Sequence, residues 1–349
     1  MAKSKETSNT FHEVRKAGHL NIALNEQVQF KDVTTGFEKY YFVHQALPEM
    51  KLSDIDLSVT LFGKRLSAPI IISSMVGGIE EATIINRNLA QAAQALGLAM
   101  GVGSQRCLID SAGKVKTYHV RDIAPDILLF ANLGAVQLNY GFGVKECLNL
   151  VKSIGADSLI LHLNPLQEAI QPEGNTNFAG LLEKIARVCH ELPVPVIVKE
   201  VGSGISEGAA AKLAEAGVAG IDVAGAGGTC WSEIERKRTR NKLSDEIAAA
   251  FSAWGIPTSD SVIMARRGAP RLSIIASGGI RTGIDVAKAI TLGADAAGIA
   301  IPLLKPAVDS VLAVEEALNT VIGSLRTAMF CTGSLTIDNL KNPALLREL

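Results

Sequence analysis

Aromatic side chains are scarce in this chain of 349 residues, at 5% of the total. A β-sandwich core is usually richer in aromatic and β-branched residues, so that architecture is disfavoured. Charge of one sign is missing too: 34 lysines and arginines face 35 aspartates and glutamates, leaving no basic excess for a nucleic-acid surface. The cysteines Cys107, Cys147, Cys189, Cys230 and Cys331 are odd in number, scattered and without a C-x-x-C pair. They fit neither a disulfide framework nor a zinc site, and suit a reducing cytoplasm. The longest apolar runs, 68–72 and 296–304, are about half the ~20 residues of a membrane span. Residues 1–10 are polar, with no hydrophobic signal core. The expectation is a soluble cytoplasmic protein without membrane or nucleic-acid partners.

What is plentiful is small or aliphatic. Hydrophobic residues make up 48%, and there are 32 glycines. Length alone allows one large domain or two ordinary ones. From residue 69 a rhythm sets in: a short apolar run ends in Gly, Ser or Asn, then a stretch rich in Ala, Leu and Lys follows. The runs are 69–73 (PIIIS), 98–102, 127–132 (ILLFAN), 158–164 (SLILHLN), 194–201 (VPVIVKEV), 220–224 (GIDVA), 272–277 (LSIIAS) and 297–301 (AGIAI). Continuous apolar strands imply burial on both faces, hence a parallel sheet covered by helices. Between them, Ile84, Ile85, Leu89, Ala92, Ala93 and Leu96 form a helical stripe stopped by Gly97. Eight βα units in about 260 residues predict an α/β fold, the (β/α)8 or TIM barrel. A doubly wound sheet is disfavoured, because no G-x-G-x-x-G opens the first unit.

Two stretches break the rhythm. The gap between the sixth and seventh strands, 231–262, reads as a long loop plus an extra helix over the barrel mouth. The first 65 residues hold too little apolar content for their own core, so they should pack across the barrel or on a neighbouring subunit. The expectation is one domain over 1–349, with the barrel at 66–335.

Barrel enzymes keep their chemistry at strand C-termini. The paired glycines of ASGGIR, at Gly278 and Gly279, and the following GADAAGIAIP, which includes Ala300 and Ile301, let backbone amides approach a phosphate. GAGGT, ending at Thr229, extends that wall. Lys199 ends an apolar run, where an ammonium is costly unless it meets an anion or a carboxylate such as Glu200. Facing a ligand, it would stabilise an anionic reduced flavin ring. HLNPLQE offers His162, Asn164, Gln167 and Glu168 together, with Glu168 a candidate Mg²⁺ ligand beside a diphosphate. RKAGH, with Arg15, Lys16 and His19, reads as a phosphate clamp in preference to a solvated charge run. The basic run 235–242 (ERKRTRNK) reads as a solvated loop face from which Arg238 or Arg240 could close over the ligand.

RK-x-x-H, SSM-x-GG, GVGSQR, the Asn after strand three, H-x-N-x-x-QE, VKEVG-x-G, GGT and ASGGIR occur in one order over about residues 13–335. This pattern resembles the type 2, flavin-dependent isopentenyl diphosphate isomerases. The resemblance implies FMN, Mg²⁺, a reductant such as NADPH, interconversion of isopentenyl and dimethylallyl diphosphates, and a homo-oligomer, often a tetramer or larger. It implies FMN contacts at Ser74, Met75, Val76, Ser104, Asn132, Lys199, Ala224, Thr229, Gly278, Gly279, Arg281, Ala300 and Ile301. It implies substrate contacts at Arg15, Lys16, His19, Arg106, His162, Asn164, Gln167 and Ser203, with Glu168 on the metal and Gln167, His162 and Lys199 serving catalysis. Val76 stands where Thr is usual, Ala224 where Ser often sits, and Ile301 where a small or basic residue is common.

Two other functions compete. An FMN oxidoreductase of 2-hydroxy acids normally needs a His–Arg pair late in the barrel, and no histidine follows His190. A non-catalytic phosphate-binding barrel leaves RK-x-x-H and QE unexplained.

Overall fold

The computed structural model describes residues 2–110 and 112–349, with side chains from 13 to 108 and from 113 onward. Eight parallel strands close into a barrel in chain order. They are β1 (Ile70–Ile72), β2 (Ala99–Gly101), β3 (Leu128–Gly134), β4 (Ser158–His162), β5 (Val196–Lys199), β6 (Gly220–Asp222), β7 (Ser273–Ser277) and β8 (Ala296–Ile299). Only His162 and Ser273 among their residues are less than fully buried. Burial on both faces is what the eight uninterrupted apolar runs required.

Helices surround this ring: α1 (Ala2–Asn25), α2 (Glu81–Leu96), α3 (Cys107–Asp110), α4 (Val144–Ile154), α5 (Pro165–Ile170), α6 (Leu181–Glu191) and α7 (Glu207–Glu215). They continue with α8 (Trp231–Arg238), α9 (Lys242–Ala250), α10 (Thr258–Gly268), α11 (Gly283–Thr291), α12 (Ile301–Asp309), α13 (Val311–Thr332) and α14 (Ile337–Leu340). Gly97 ends α2 at φ 64° and donates its amide back to the last turn, the left-handed cap that a Cβ would disfavour.

Inside the barrel, Ile71, Ala99, Leu128, Phe130, Ile160, Ile197, Ile275 and Ala296 form a sealed layer with Leu61 and Leu66. The last two belong to the hairpin Val59–Leu61/Lys64–Leu66, which plugs the N-terminal end. At its tip the Phe62 ring meets Phe130 edge-on at 6.0 Å. A Cβ on Gly220 would come within 2.7 Å of Phe62, so a side chain there would expel the plug. Each such buried side chain contributes about 2 kcal/mol.

The same lower rim carries two matching clamps. Arg121 donates to Gly155 O and Asp157 (Nη2–Oδ2 2.8 Å), and Asp157 accepts the Leu129 amide at 2.8 Å. Arg266 donates to Gly293 O and Asp295, and Asp295 accepts the Ile274 amide at 2.9 Å. Lys64 completes the first carboxylate and Lys341 the second. One clamp joins β3 to β4 and the other β7 to β8, half a circuit apart.

The expected extra helix between β6 and β7 is two helices, α8 and α9; α10, which packs on α7 and β7, is the regular barrel helix. The N-terminal segment covers its own barrel, as α1 packs on α3, α8 and α12. Beyond α1 the chain follows the loop after β6, with Phe30 N donating to Gly228 O and Cys230 N to Val28 O. Strand Tyr40–Phe42 pairs antiparallel with Leu346–Glu348, joining the segment before the barrel to the one after it. Among the described residues, no helix is long and apolar enough to cross a membrane.

Candidate active site

A cavity of about 300 Å³ opens at the C-terminal ends of the strands, under α1 and α8. Every residue that the resemblance places at the site lines it except Ser203.

One wall is backbone. Gly278 (φ 103°) and Gly279 (φ 75°) follow β7, where a Cβ would meet Gly225 O at 2.2 Å and Gly227 O at 2.7 Å respectively. Thr258 Oγ1 donates to Gly278 O at 2.6 Å and holds the turn open. Ala300 caps α12, whose positive end begins at Ile301. Arg281 stands at the rim against Gln29 Oε1. An anion meets here a helix end, exposed amide edges and a guanidinium, the usual components of a barrel phosphate site.

The opposite wall comes from the loops after β1 and β2, with Ser74, Met75, Val76, Ser104 and Arg106 facing the cavity. Ser73 Oγ and Ser74 Oγ are buried and lack a partner among the described residues, as does Asn164 Oδ1. Orphaned polar atoms are rare in folded proteins and point to an absent ligand. With a glycine-lined phosphate wall on one side and unpartnered oxygens on the other, the residues present fit FMN.

Lys199 and its neighbours form the floor. The ammonium lies 2.8 Å from Asp222 Oδ2 and donates to Ser277 Oγ at 2.8 Å, while Ser277 Oγ donates to Asp222 Oδ1. Strand register puts Lys199 beside Asp222 on one side and His162 on the other. The Lys199 partner is therefore Asp222 and not Glu200. Glu200 is buried on its own loop, accepting the amides of Val201, Gly202 and Ser203 at 2.6–2.8 Å. Burial pushes its carboxyl up to about 7, against the pull of those amides.

This loop explains why Ser203 misses the cavity. Its amide is committed to Glu200, and its carbonyl accepts from Ile256 N at 2.9 Å. It borders instead a small crevice beside Cys230 and Trp231.

His162 Nδ1 lies 2.8 Å from Asn132 Oδ1. Burial, then the charges of Lys199 and Lys16, lower its pKa to about 4, so the imidazole is neutral near pH 7. With its proton on Nδ1, facing an oxygen, the ring offers Nε2 as an acceptor. Asn164 Nδ2 donates to both Gln167 Oε1 (3.1 Å) and Glu168 Oε1 (3.0 Å). Glu168 Oε2 also accepts from Asn175 N. Among the described residues no group of three or more His, Cys, Asp or Glu is placed to hold a metal. A single carboxylate fits a Mg²⁺ whose shell is completed by substrate phosphates and water.

From above, α1 contributes Arg15, Lys16 and His19. His19 Nε2 lies 3.0 Å from Glu235 Oε1, and the same carboxylate accepts from Gln167 Nε2 (3.2 Å) and Arg238 Nε (2.8 Å). Burial alone would raise the Glu235 carboxyl, yet His19 and Arg238 bring it below its ordinary value. The solvated reading of 235–242 thus fails at its first residue, because Glu235 faces inward from α8. Arg238 is spent on Glu235 and Glu173, Arg240 is exposed, and neither lines the cavity. Asp222 and Glu235 were missed in the sequence. Asp222 carried the same signal as Lys199, a charge inside an apolar strand.

The matches to known proteins agree with this geometry. The FMN-dependent dehydrogenase family model matches residues 13–116 and 164–347. The isopentenyl-diphosphate delta-isomerase of Nostoc sp. (strain PCC 7120) is 52% identical over 335 residues, covering 96% of either chain. That of Rickettsia canadensis is 52% identical over 326 residues, 93% of this chain and 95% of its own. A lactate oxidase structure from Pediococcus acidilactici superposes with a TM-score of 0.67 at 17% identity, over 99% of this chain and 94% of that one; it shares the fold. The family match over most of the chain, and half of all residues shared with those relatives along nearly their whole length, place the chain in the FMN-dependent dehydrogenase family, among its isopentenyl-diphosphate delta-isomerases.

Proposed function

We propose that this chain interconverts isopentenyl and dimethylallyl diphosphates, with FMN on the strand ends and the prenyl diphosphate between it and α1. The observation that carries this reading is the meeting of Asn164, Gln167 and Glu168, at the start of α5, with Arg15 and His19 from α1 in one cavity. When bound and reduced, FMN supplies an electron-rich ring and a nitrogen that carries a proton.

The chain's own groups provide the rest. Lys199, fixed by Asp222 and Ser277, places a cation where negative charge gathers on the reduced ring. Arg15, at the mouth, would grip a diphosphate, and Glu168 would hold a Mg²⁺ that neutralises its charge. That remote grip fixes the alkene against the floor. Gln167 has no useful proton affinity, so it orients substrate, held between Asn164 and Glu235. Neutral His162 accepts a proton or a hydrogen bond at Nε2. NADPH is the reductant we assign, in a reducing cytoplasm that keeps the five cysteines as thiols. We assign a homo-oligomer, for which exposed Leu243, Ile247 and Trp254 around α9 offer apolar contact surface.

A hydroxy-acid oxidase would need a basic histidine late in the barrel, whereas His190 sits on the outer helix α6. The test is isomerisation in D₂O by the Mg²⁺-supplied holoenzyme, with and without dithionite. Deuterium should enter the substrate only after reduction, without net oxidation. Unlabelled substrate from the reduced enzyme defeats the reading, and bleaching of the flavin by a hydroxy acid favours the oxidase.

A further inference from the structure

Tyr118 is wholly buried and has no part in the scheme above. It follows the turn Ala112–Thr117, and its ring lies so close beneath the loop after β1 that a Cβ on Gly77 would sit 1.9 Å from Cε1. Its hydroxyl donates to Ser104 O at 2.7 Å, touches Cys107 Sγ at 3.2 Å and accepts from Lys16 Nζ at 2.8 Å. The Lys16 ammonium also donates to Gly77 O and Ser104 O, each at 2.8 Å. An ammonium has three protons, and all three are placed. The expected free phosphate clamp at Lys16 is thus a cation plugged into the wall behind the diphosphate site.

The plug joins three pieces of chain. Gly77 belongs to the loop after β1 and Ser104 to the loop after β2, the two that carry Ser74, Met75, Val76 and Arg106. Lys16 belongs to α1, between Arg15 and His19. Two of its acceptors are side chains, the Tyr118 hydroxyl at 2.8 Å and the Cys107 thiol, a weaker and more distant partner at 3.7 Å. Thr117 braces the same junction, accepting from Gly78 N at 2.8 Å.

We propose that Tyr118 is a positioning residue: by accepting from Lys16 it locks α1 to the loops after β1 and β2, and so sets the diphosphate-binding cations against the cofactor wall. The inference rests on reading the cavity as a diphosphate site. The charged and titratable groups facing Lys16 are Arg15 on its own helix, Lys114 and Cys107 from the segment after β2, Tyr118, and His162 across the cavity. Burial, the largest influence, lowers Lys16 to about 8. Losing an acceptor disfavours the ammonium further.

The test uses holoenzyme with Mg²⁺ and inorganic pyrophosphate, measured by calorimetry from pH 6 to 9.5, beside the KM and kcat of isomerisation. Tyr118→Phe should keep the flavin spectrum. It should bind pyrophosphate about tenfold more weakly at pH 8, equal to about 1.4 kcal/mol, and raise KM alike with kcat within about twofold. The alkaline fall in affinity should move about one unit lower in pH. In a Lys16→Met background the same change should add nothing, because coupled residues are not additive. An unmoved alkaline limb, a fully additive loss, or a wild type blind to pyrophosphate overturns the proposal. Lys16→Met by itself should raise amide exchange in α1 and in residues 74–78 and 104–108 together; a rise confined to α1 also overturns it. Pyrophosphate shifts as stated, with no isomerisation at all, would refute the isomerase reading and leave the Tyr118 lock standing.

Discussion

Lys199 and Asp222 stand on adjacent strands with Nζ and Oδ2 2.8 Å apart, both nearly sealed from solvent. A buried pair contributes little net stability, but removing one partner strands the other charge, at a cost of about 3–5 kcal/mol. Asp222→Asn should therefore lower the unfolding free energy by about that amount in urea titration. Adding Lys199→Met should recover most of the stability and none of the turnover. Full activity in that double variant would show that the cation is dispensable.

Two cofactor contacts are open to improvement. Val76 and Ala224 line the cavity where the related pattern has hydroxyls. Val76→Thr and Ala224→Ser should each tighten FMN by roughly 1 kcal/mol, about fivefold, in fluorescence titration of the apoprotein. Unchanged affinity in both would mean that neither side chain reaches the flavin.

Glycines in two settings should respond with opposite sign. At Gly279 an added Cβ would sit 2.4 Å from Thr35 and in a left-handed conformation, so Gly279→Ala should abolish FMN retention on gel filtration. Gly323 is exposed inside α13 with nothing within 4 Å, and Gly323→Ala should add about 1 kcal/mol of thermal stability.

Two buried titratable groups make stability depend on pH in opposing directions. Glu200 is raised to about 7, so the folded state holds its proton while the unfolded chain has released it. Its contribution is complete below the ordinary carboxylate range and fades as pH climbs through 7. His162 is depressed to about 4. Its neutral form favours the fold above pH 6.5, and that gain is lost as pH falls through 4. Between these limits the two partly cancel. Glu200→Gln should expose the His162 slope, with stability rising by on the order of 1–3 kcal/mol from pH 4 to 6.5. A falling or flat profile in that variant would contradict the assignment.

Glu235→Gln keeps size while removing charge from the junction of α1, α5 and α8. Charge-assisted hydrogen bonds are worth about 1.5–3 kcal/mol, so kcat/KM should drop about 10- to 100-fold with the flavin spectrum intact. A loss below threefold would show that His19 and Gln167 hold their places without the carboxylate.

The barrel was legible because all eight strands are buried on both faces, and such strands leave uninterrupted apolar runs in the sequence. Glycine pairs marked the phosphate wall for an equally local reason, since backbone close to a ligand excludes Cβ. Groups that act through partners far away in the chain left weaker marks. Glu235 opens the run ERKRTRNK, whose composition suggests solvent, and only the docking of α8 against α1 turns it inward. Tyr118 sits in a stretch with no period, and its partners are 14 and 102 positions away. Ser203 was misplaced because VKEVGSG reads as one approach to the ligand, whereas Glu200 draws in the following amides and swings the serine aside.

The repeated arginine–aspartate fasteners beneath the ring divide the labour of the molecule. Rigidity is anchored at one pole, twice, at positions where a substrate never arrives. Chemistry hangs from the other pole, on loops that can be exchanged or lengthened without unpicking either knot. A lineage that keeps both knots is free to try new reactions at the open end while its scaffold stays shut.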